Sequence, residues 1–167
     1  MAENEKRRPT RGGATAEKTT ELDTAKPTGT SDPVARALSV STAGTAEAKT
    51  WTPGTVTWAE VQAWAEKPRK GQKDGPCYVL GRLDGKHRSK DAVVSRGVLT
   101  LDADWLTPTD RDDLLDQLRE AGWAAVVYST ASTTAETPRL RVLVLLDRDA
   151  TPEEYRLLVR VLMHRLG

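Results

Sequence analysis

The stretch that decides the fold is "GVLTLDADWL", residues 97–106, an apolar run that ends in two aspartates one residue apart. Period-two geometry puts Asp102 and Asp104 on one face of a strand, with Leu101 and Ala103 on the other. Like charges that close repel, so a compensating positive group is expected at the strand end.

The segments on either side of this strand have recognisable patterns. Downstream, "TPTDRDDLLDQLREAG" (107–122) has the spacing of an amphipathic helix, with Leu114, Leu115 and Leu118 inward and Gly122 at its C-terminal end. "WAAVVYST" (123–130) and "PRLRVLVLLD" (138–147) read as strands joined by a polar loop. "TPEEYRLLVRVLMHRLG" (151–167) reads as a closing helix, with Thr151 as N-cap, Pro152 at the first helical position and Glu154 completing a capping box. From Gly97 the order is β-α-β-β-α, an α+β core of the RNA-recognition-motif or ferredoxin-like kind. That pattern expects one more strand, so the domain is expected to be incomplete at its C-terminus and to leave a sheet edge exposed.

Upstream, "CYVLGRLDGKHRSKDAVVSRG" (77–97) reads as a strand, an Asp84-Gly85 turn and a second strand before the aspartate-bearing one, forming a β-hairpin. "RKGQKDGP" (69–76) is a polar loop. "TVTWAEVQAWAEKP" (55–68) reads as a helix capped by Thr57, with Trp58, Val61, Trp64 and Ala65 on one core-facing side. Residues 1–50 are Thr-, Ala-, Glu-, Lys-, Pro- and Gly-rich and are expected to form a disordered tail, with order over 51–167. Within that tail, "EKRRPTRGG" (5–13) is a small basic cluster, and "ARALSVST" (35–42) is apolar enough for an outlying strand.

Composition limits the function. A net charge of +1 gives no global nucleic-acid or membrane signature. One cysteine, Cys77, excludes an internal disulfide framework and a cysteine-based zinc site. No apolar run has membrane-spanning length and the N-terminus lacks the apolar core of a signal peptide, so a cytoplasmic protein without membrane contact is expected.

The arginine-bearing strand carries the candidate chemistry. Alternation in "PRLRVLVLLD" puts Arg139, Arg141, Leu143, Leu145 and Asp147 on one face, and Leu140, Val142, Val144 and Leu146 on the other. If Asp147 lies near Asp104, three carboxylates converge on a hard divalent cation, Mg²⁺ or Mn²⁺, and the arginines suit phosphate oxygens. That constellation reads as phosphoryl transfer from a nucleoside triphosphate. The plainer alternative has Asp104 and Asp147 as turn residues and the arginines on a solvated sheet face.

"GVLTLDADW" followed by a helix, and then "YSTASTTAETPRLRVLVLLDRDATPEEYRLLVRVL" (128–162), resemble the primase–polymerase domain of the archaeo-eukaryotic primase superfamily, in its phage and plasmid replication branch. "TWAEVQAWAEKP" and "GRLDGKHRSKDAVVSRG" also look like the lead-in of such proteins. The resemblance implies metal-dependent nucleotidyl transfer, with Asp102, Asp104 and Asp147 as catalytic metal ligands. It further implies Ser129, Arg139 and Arg141 at the nucleotide, nucleoside triphosphates and single-stranded DNA template as partners, and a helicase acting in trans. The sequence departs from the family pattern at Ala131, where a triphosphate-contacting histidine is expected, and at Leu145, where a proline is expected.

Rival chemistries lack their residues. Rolling-circle nucleases need a histidine pair flanking one apolar residue, whereas His87 and His164 stand alone. No G-x-x-x-x-G-K-[ST] phosphate loop occurs. The alternative in a different class is a non-catalytic nucleic-acid-binding or interaction module that keeps the fold.

Overall fold

The computed structural model describes residues 34–66 and 75–166; residues 1–33 of the expected tail, with the basic cluster at 5–13, and residues 69–74 of the expected polar loop lie outside them. The fold is α+β, with two antiparallel sheets and three helices among the described residues. One sheet has the order β2-β1-β3, from β1 (Leu38–Ala43), β2 (Thr52–Val56) and β3 (Cys77–Val79). The other has the order β4-β5-β7-β6, from β4 (Gly81–Leu83), β5 (Val93–Ala103), β6 (Ala125–Ser129) and β7 (Leu140–Ala150). Helix α1 (Trp58–Glu66) follows β2, α2 (Pro108–Glu120) joins β5 to β6, and α3 (Pro152–Arg165) follows β7. The β5-α2-β6-β7-α3 order is the β-α-β-β-α core expected from the sequence.

Period-two alternation on β5 and β7 divides the core. Leu99, Leu140, Val142 and Val144 pack with Leu114 and Leu118 of α2 and Leu162 of α3. On the opposite face, Val98, Val126 and Leu143 pack with Leu38 and Val40 of β1 and with Trp58 and Val61 of α1. The four-stranded sheet is therefore covered by two helices on one side and by the small sheet with α1 on the other.

Three expectations change. Order begins before Trp51, because the apolar segment at 35–42 supplies β1, the central strand of its sheet, with Leu38 and Val40 buried. The hairpin strand and the aspartate-bearing strand are one continuous β5, since Val93 to Ala103 is apolar enough on both faces to stay in the sheet. Gly85 does take a left-handed backbone, φ +77°, but the connection spans residues 84–92 and is closed by Asp84 N–H donating to the Ala92 carbonyl at 2.6 Å.

The sheet edge is partly filled. β4 takes the outer side of β5, pairing Gly81 with Arg96 and Arg82 with Ser95. A Cβ at Gly81 would collide with the Ser95 carbonyl, so this approach requires glycine. Farther along, the Tyr155 hydroxyl of α3 receives the Thr100 N–H at 3.0 Å, occupying a donor that a further strand would otherwise take.

The β5–β7 register slips between Arg96↔Ala150 and Val98↔Leu145, leaving residues 146–149 bulged opposite Gly97. Arg36 fills the bulge. It pairs with Asp149 at 2.9 Å and donates to the Leu146 carbonyl at 3.1 Å, while Ser95 Oγ donates to the other Asp149 oxygen at 3.0 Å.

Helix α3 starts as the sequence indicates, and α2 starts in the same way. Thr107 and Asp110 form a reciprocal capping box on α2, and Thr151 and Glu154 form one on α3, each with proline at the start. Glu154 also accepts from Arg148 at 2.7 Å and from the Thr151 N–H at 2.9 Å, and these bonds hold its carboxyl pKa down to about 2. A pKa depressed on folding stabilises above the unfolded value of 4.5 and loses that contribution as pH falls toward 2. Carbon-detected NMR should thus find Glu154 titrating well below the usual carboxylate range, with the first turn of α3 loosening between about pH 4.5 and 2. Ordinary titration of Glu154 would show that the capping bonds do not persist in solution.

Candidate functional site

Where α1 and the small sheet end, the face of the large sheet opens into a cleft of about 1520 Å³. Asp102, at the end of β5, lies opposite Arg141 of β7, which in turn lies opposite Tyr128 of β6. Asp104 and Arg139 flank them just beyond the strand ends. Period-two alternation on all three strands brings these side chains to one face, as the sequence implied for both aspartates and both arginines.

The compensation expected for the aspartates comes from within the chain. Arg141 Nε donates to Asp102 Oδ1 at 2.6 Å, and Arg139 Nε lies 3.9 Å from Asp104 Oδ1. All four side chains keep substantial solvent exposure, 29–53%. Burial works against the Arg141 charge, but the Asp102 hydrogen bond and the adjacent Tyr128 outweigh it and raise its pKa above the usual value. The opposite wall is aromatic. Tyr78 and Tyr128 share a hydroxyl–hydroxyl hydrogen bond of 2.8 Å, and Trp64 packs on Tyr78 with ring centroids 5.2 Å apart. Burial, and then the bond to Tyr128, push the Tyr78 phenol well above its ordinary pKa, so it stays a neutral donor.

The loop that follows β6 forms the floor. Ser129, Thr130 and Ala131 line the cleft, and the Thr130 N–H donates to the Arg139 carbonyl at 2.9 Å. Thr133 Oγ1 receives the Arg139 N–H at 2.9 Å. Arg139 is thus anchored through its backbone while its guanidinium reaches the cleft. Ala131 presents only a methyl group to it.

Asp147 does not join this site. The antiparallel register sets Arg141, not Asp147, opposite Asp102; at roughly 3.3 Å per residue Asp147 lies on the order of 15–20 Å along β7. It is exposed within β7 and accepts the N–H of its neighbour Arg148 at 2.8 Å. The carboxylate that β7 does use internally is Asp149. Among the described residues, no group of three or more His, Cys, Asp or Glu side chains is placed to hold a metal ion. His87 and His164 are exposed and far apart in the chain.

The sequence reading missed the aromatic wall. Trp64, expected in the core, is 39% exposed and faces the cleft. Tyr128 was legible in principle, two residues beyond the inward Val126 on the same strand face. Tyr78 was not, because only tertiary packing brings β3 against β6.

Residues 46–167, well over half of the sequence, match the VapE N-terminal domain family. The chain belongs to that family. VapE N-terminal domains are associated with phage and plasmid replication, in keeping with the branch of replication proteins that the motifs resemble. No curated protein and no solved structure matches this VapE N-terminal domain. None of its helices, among the described residues, is long and apolar enough to cross a membrane.

Proposed function

We propose that the cleft is a nucleotidyl-transfer site of the primase–polymerase type, taking a nucleoside triphosphate with Mg²⁺ or Mn²⁺ and single-stranded DNA as template. The observation that carries this reading is the gathering of Asp102, Asp104, Arg139 and Arg141 on one sheet face, beside an aromatic wall and partly open to solvent. Two carboxylates are too few for a protein-only cage. They fit a cation shared with substrate phosphates, the usual arrangement for Mg²⁺ at nucleotide sites. A cation bound there would neutralise charge on the transferring phosphate. Arg139 and Arg141 would exchange their carboxylates for phosphate oxygens, which their forked donors bind bidentately. Tyr78 and Tyr128 would present hydroxyl donors and ring faces to sugar and base.

A second reading, a single-strand-binding module without catalysis, is favoured by two features. The family-pattern histidine is Ala131, and the aspartates already have arginine partners.

Calorimetry with a non-hydrolysable nucleoside triphosphate separates the two by sign. In EDTA, Asp102→Asn/Asp104→Asn removes two negative charges beside the arginines and should strengthen triphosphate binding. In Mn²⁺ the same change should weaken it about tenfold, because the shared cation loses its protein ligands. Strengthened binding in both conditions would eliminate the metal-dependent reading and leave the non-catalytic one.

A further inference from the structure

Trp105 is the most exposed large apolar side chain among the described residues, at 79%, and its backbone is left-handed, φ +66°. A single exposed apolar residue needs no explanation. A bulky residue in left-handed backbone is a true outlier, and such strain persists where surrounding structure enforces it. Here the enforcement is visible. β5 ends at Ala103, and the capping box of α2 begins at Thr107, which receives and returns hydrogen bonds with Asp110 at 2.8–3.2 Å. The short link at 104–106 must turn between two fixed elements, and it does so with the indole directed to solvent.

The ring is also oriented. The Arg139 guanidinium lies 4.6 Å from the Trp105 ring centroid while pairing with Asp104. Arg139 thus joins the cleft, which it lines, to an indole standing at its rim. A solvent-facing aromatic beside a cation matches what unpaired nucleotides require, a stacking face for the base and a positive charge for its backbone. Duplex DNA offers no free base faces at such a platform.

We propose that Trp105 stacks an unpaired base of single-stranded DNA as the strand enters the cleft across Arg139. The inference rests on the cleft being the nucleic-acid site and adds the residue that grips the strand outside it.

The test is fluorescence anisotropy with a labelled oligothymidine, across a salt series, together with thermal unfolding. Trp105→Ala and Trp105→Gly should each weaken binding about fivefold or more, while Trp105→Phe retains most of it. The salt slope should stay as in wild type, because stacking releases no counterions. Trp105→Gly, whose backbone accepts the left-handed conformation, should unfold at the same temperature as wild type or higher. Wild-type affinity in the alanine and glycine variants, with loss on Arg139→Gln/Arg141→Gln, would overturn the role of Trp105 and leave the cleft assignment standing. A fall of several degrees in Trp105→Gly would make the indole a structural residue and equally overturn it. Failure of the unaltered protein to bind the oligonucleotide would overturn both.

Discussion

An Arg139→Gln/Arg141→Gln protein is expected to bind single-stranded DNA about 100-fold more weakly at low salt than the unaltered chain. Each guanidinium offers at least one charge-assisted hydrogen bond to phosphate, worth roughly 1.5 kcal/mol or more, and glutamine keeps a donor but no charge. The loss should show a second signature. With two phosphate contacts removed, the slope of log affinity against log salt should flatten by about 1.4, at roughly 0.7 per contact on a single strand. Stability should change by no more than about 1–2 kcal/mol, because both pairs are partly exposed and such pairs contribute little. Binding that survives unchanged, with a large drop in unfolding temperature, would make the arginines struts for Asp102 and Asp104.

Trp58→Ala is expected to cost about 3–5 kcal/mol, a large part of the 5–15 kcal/mol typical of a folded domain. Trp58 is 2% exposed and packs in the cluster that includes Leu38, Val98, Val126 and Leu143. It is the first residue of α1, so its loss leaves a cavity and frees the helix that carries Trp64 to the cleft wall. The unfolding temperature should fall by roughly 10–20 °C. Trp64→Ala serves as the control: partly exposed and outside that buried cluster, it should lower stability far less. Equal effects of the two substitutions would show that α1 is held by its C-terminal half and not by Trp58.

The two residues differ in how far the sequence could reveal them. Both sit at helical spacing on "WAEVQAWAE", and periodicity alone assigns both to the core. Trp58 packs in the buried cluster, and Ala65 at the far end of the helix still lies against it, but Trp64 is turned roughly 120° round the axis from Trp58 and meets Tyr78 instead. Helical period marks a broad apolar side. Which edge of that side is covered and which faces a cleft is a property of the assembled sheet.

The aspartates and Asp147 follow the same division. Asp102, Asp104, Arg139 and Arg141 share a face because strands alternate, a local rule that needs no knowledge of partners. Whether Asp147 joins them depends on the antiparallel register of β5 and β7, and that register is altered by a bulge which Arg36, more than a hundred residues away, ties to Asp149. A Cβ at Gly97 would lie 2.8 Å from Asp149 Oδ1 and 2.9 Å from Arg36 Nη2, so the knot also requires that glycine. No window of sequence contains all three residues.

Local chemistry within a few residues was therefore sufficient for the capping box of α3, the proline that opens it, the left-handed Gly122 after α2 and the alternation of β7. These depend on hydrogen bonds and backbone dihedrals confined to one turn or one strand. Tertiary structure alone decided that residues 38–43 form a central strand, that arginines answer the paired aspartates, and that Trp64, Tyr78 and Tyr128 wall the cleft. Each of those outcomes is a contact between segments far apart in the chain. Its energy depends on which surfaces remain uncovered once the two sheets have packed, and the order of residues along the chain does not by itself specify those surfaces.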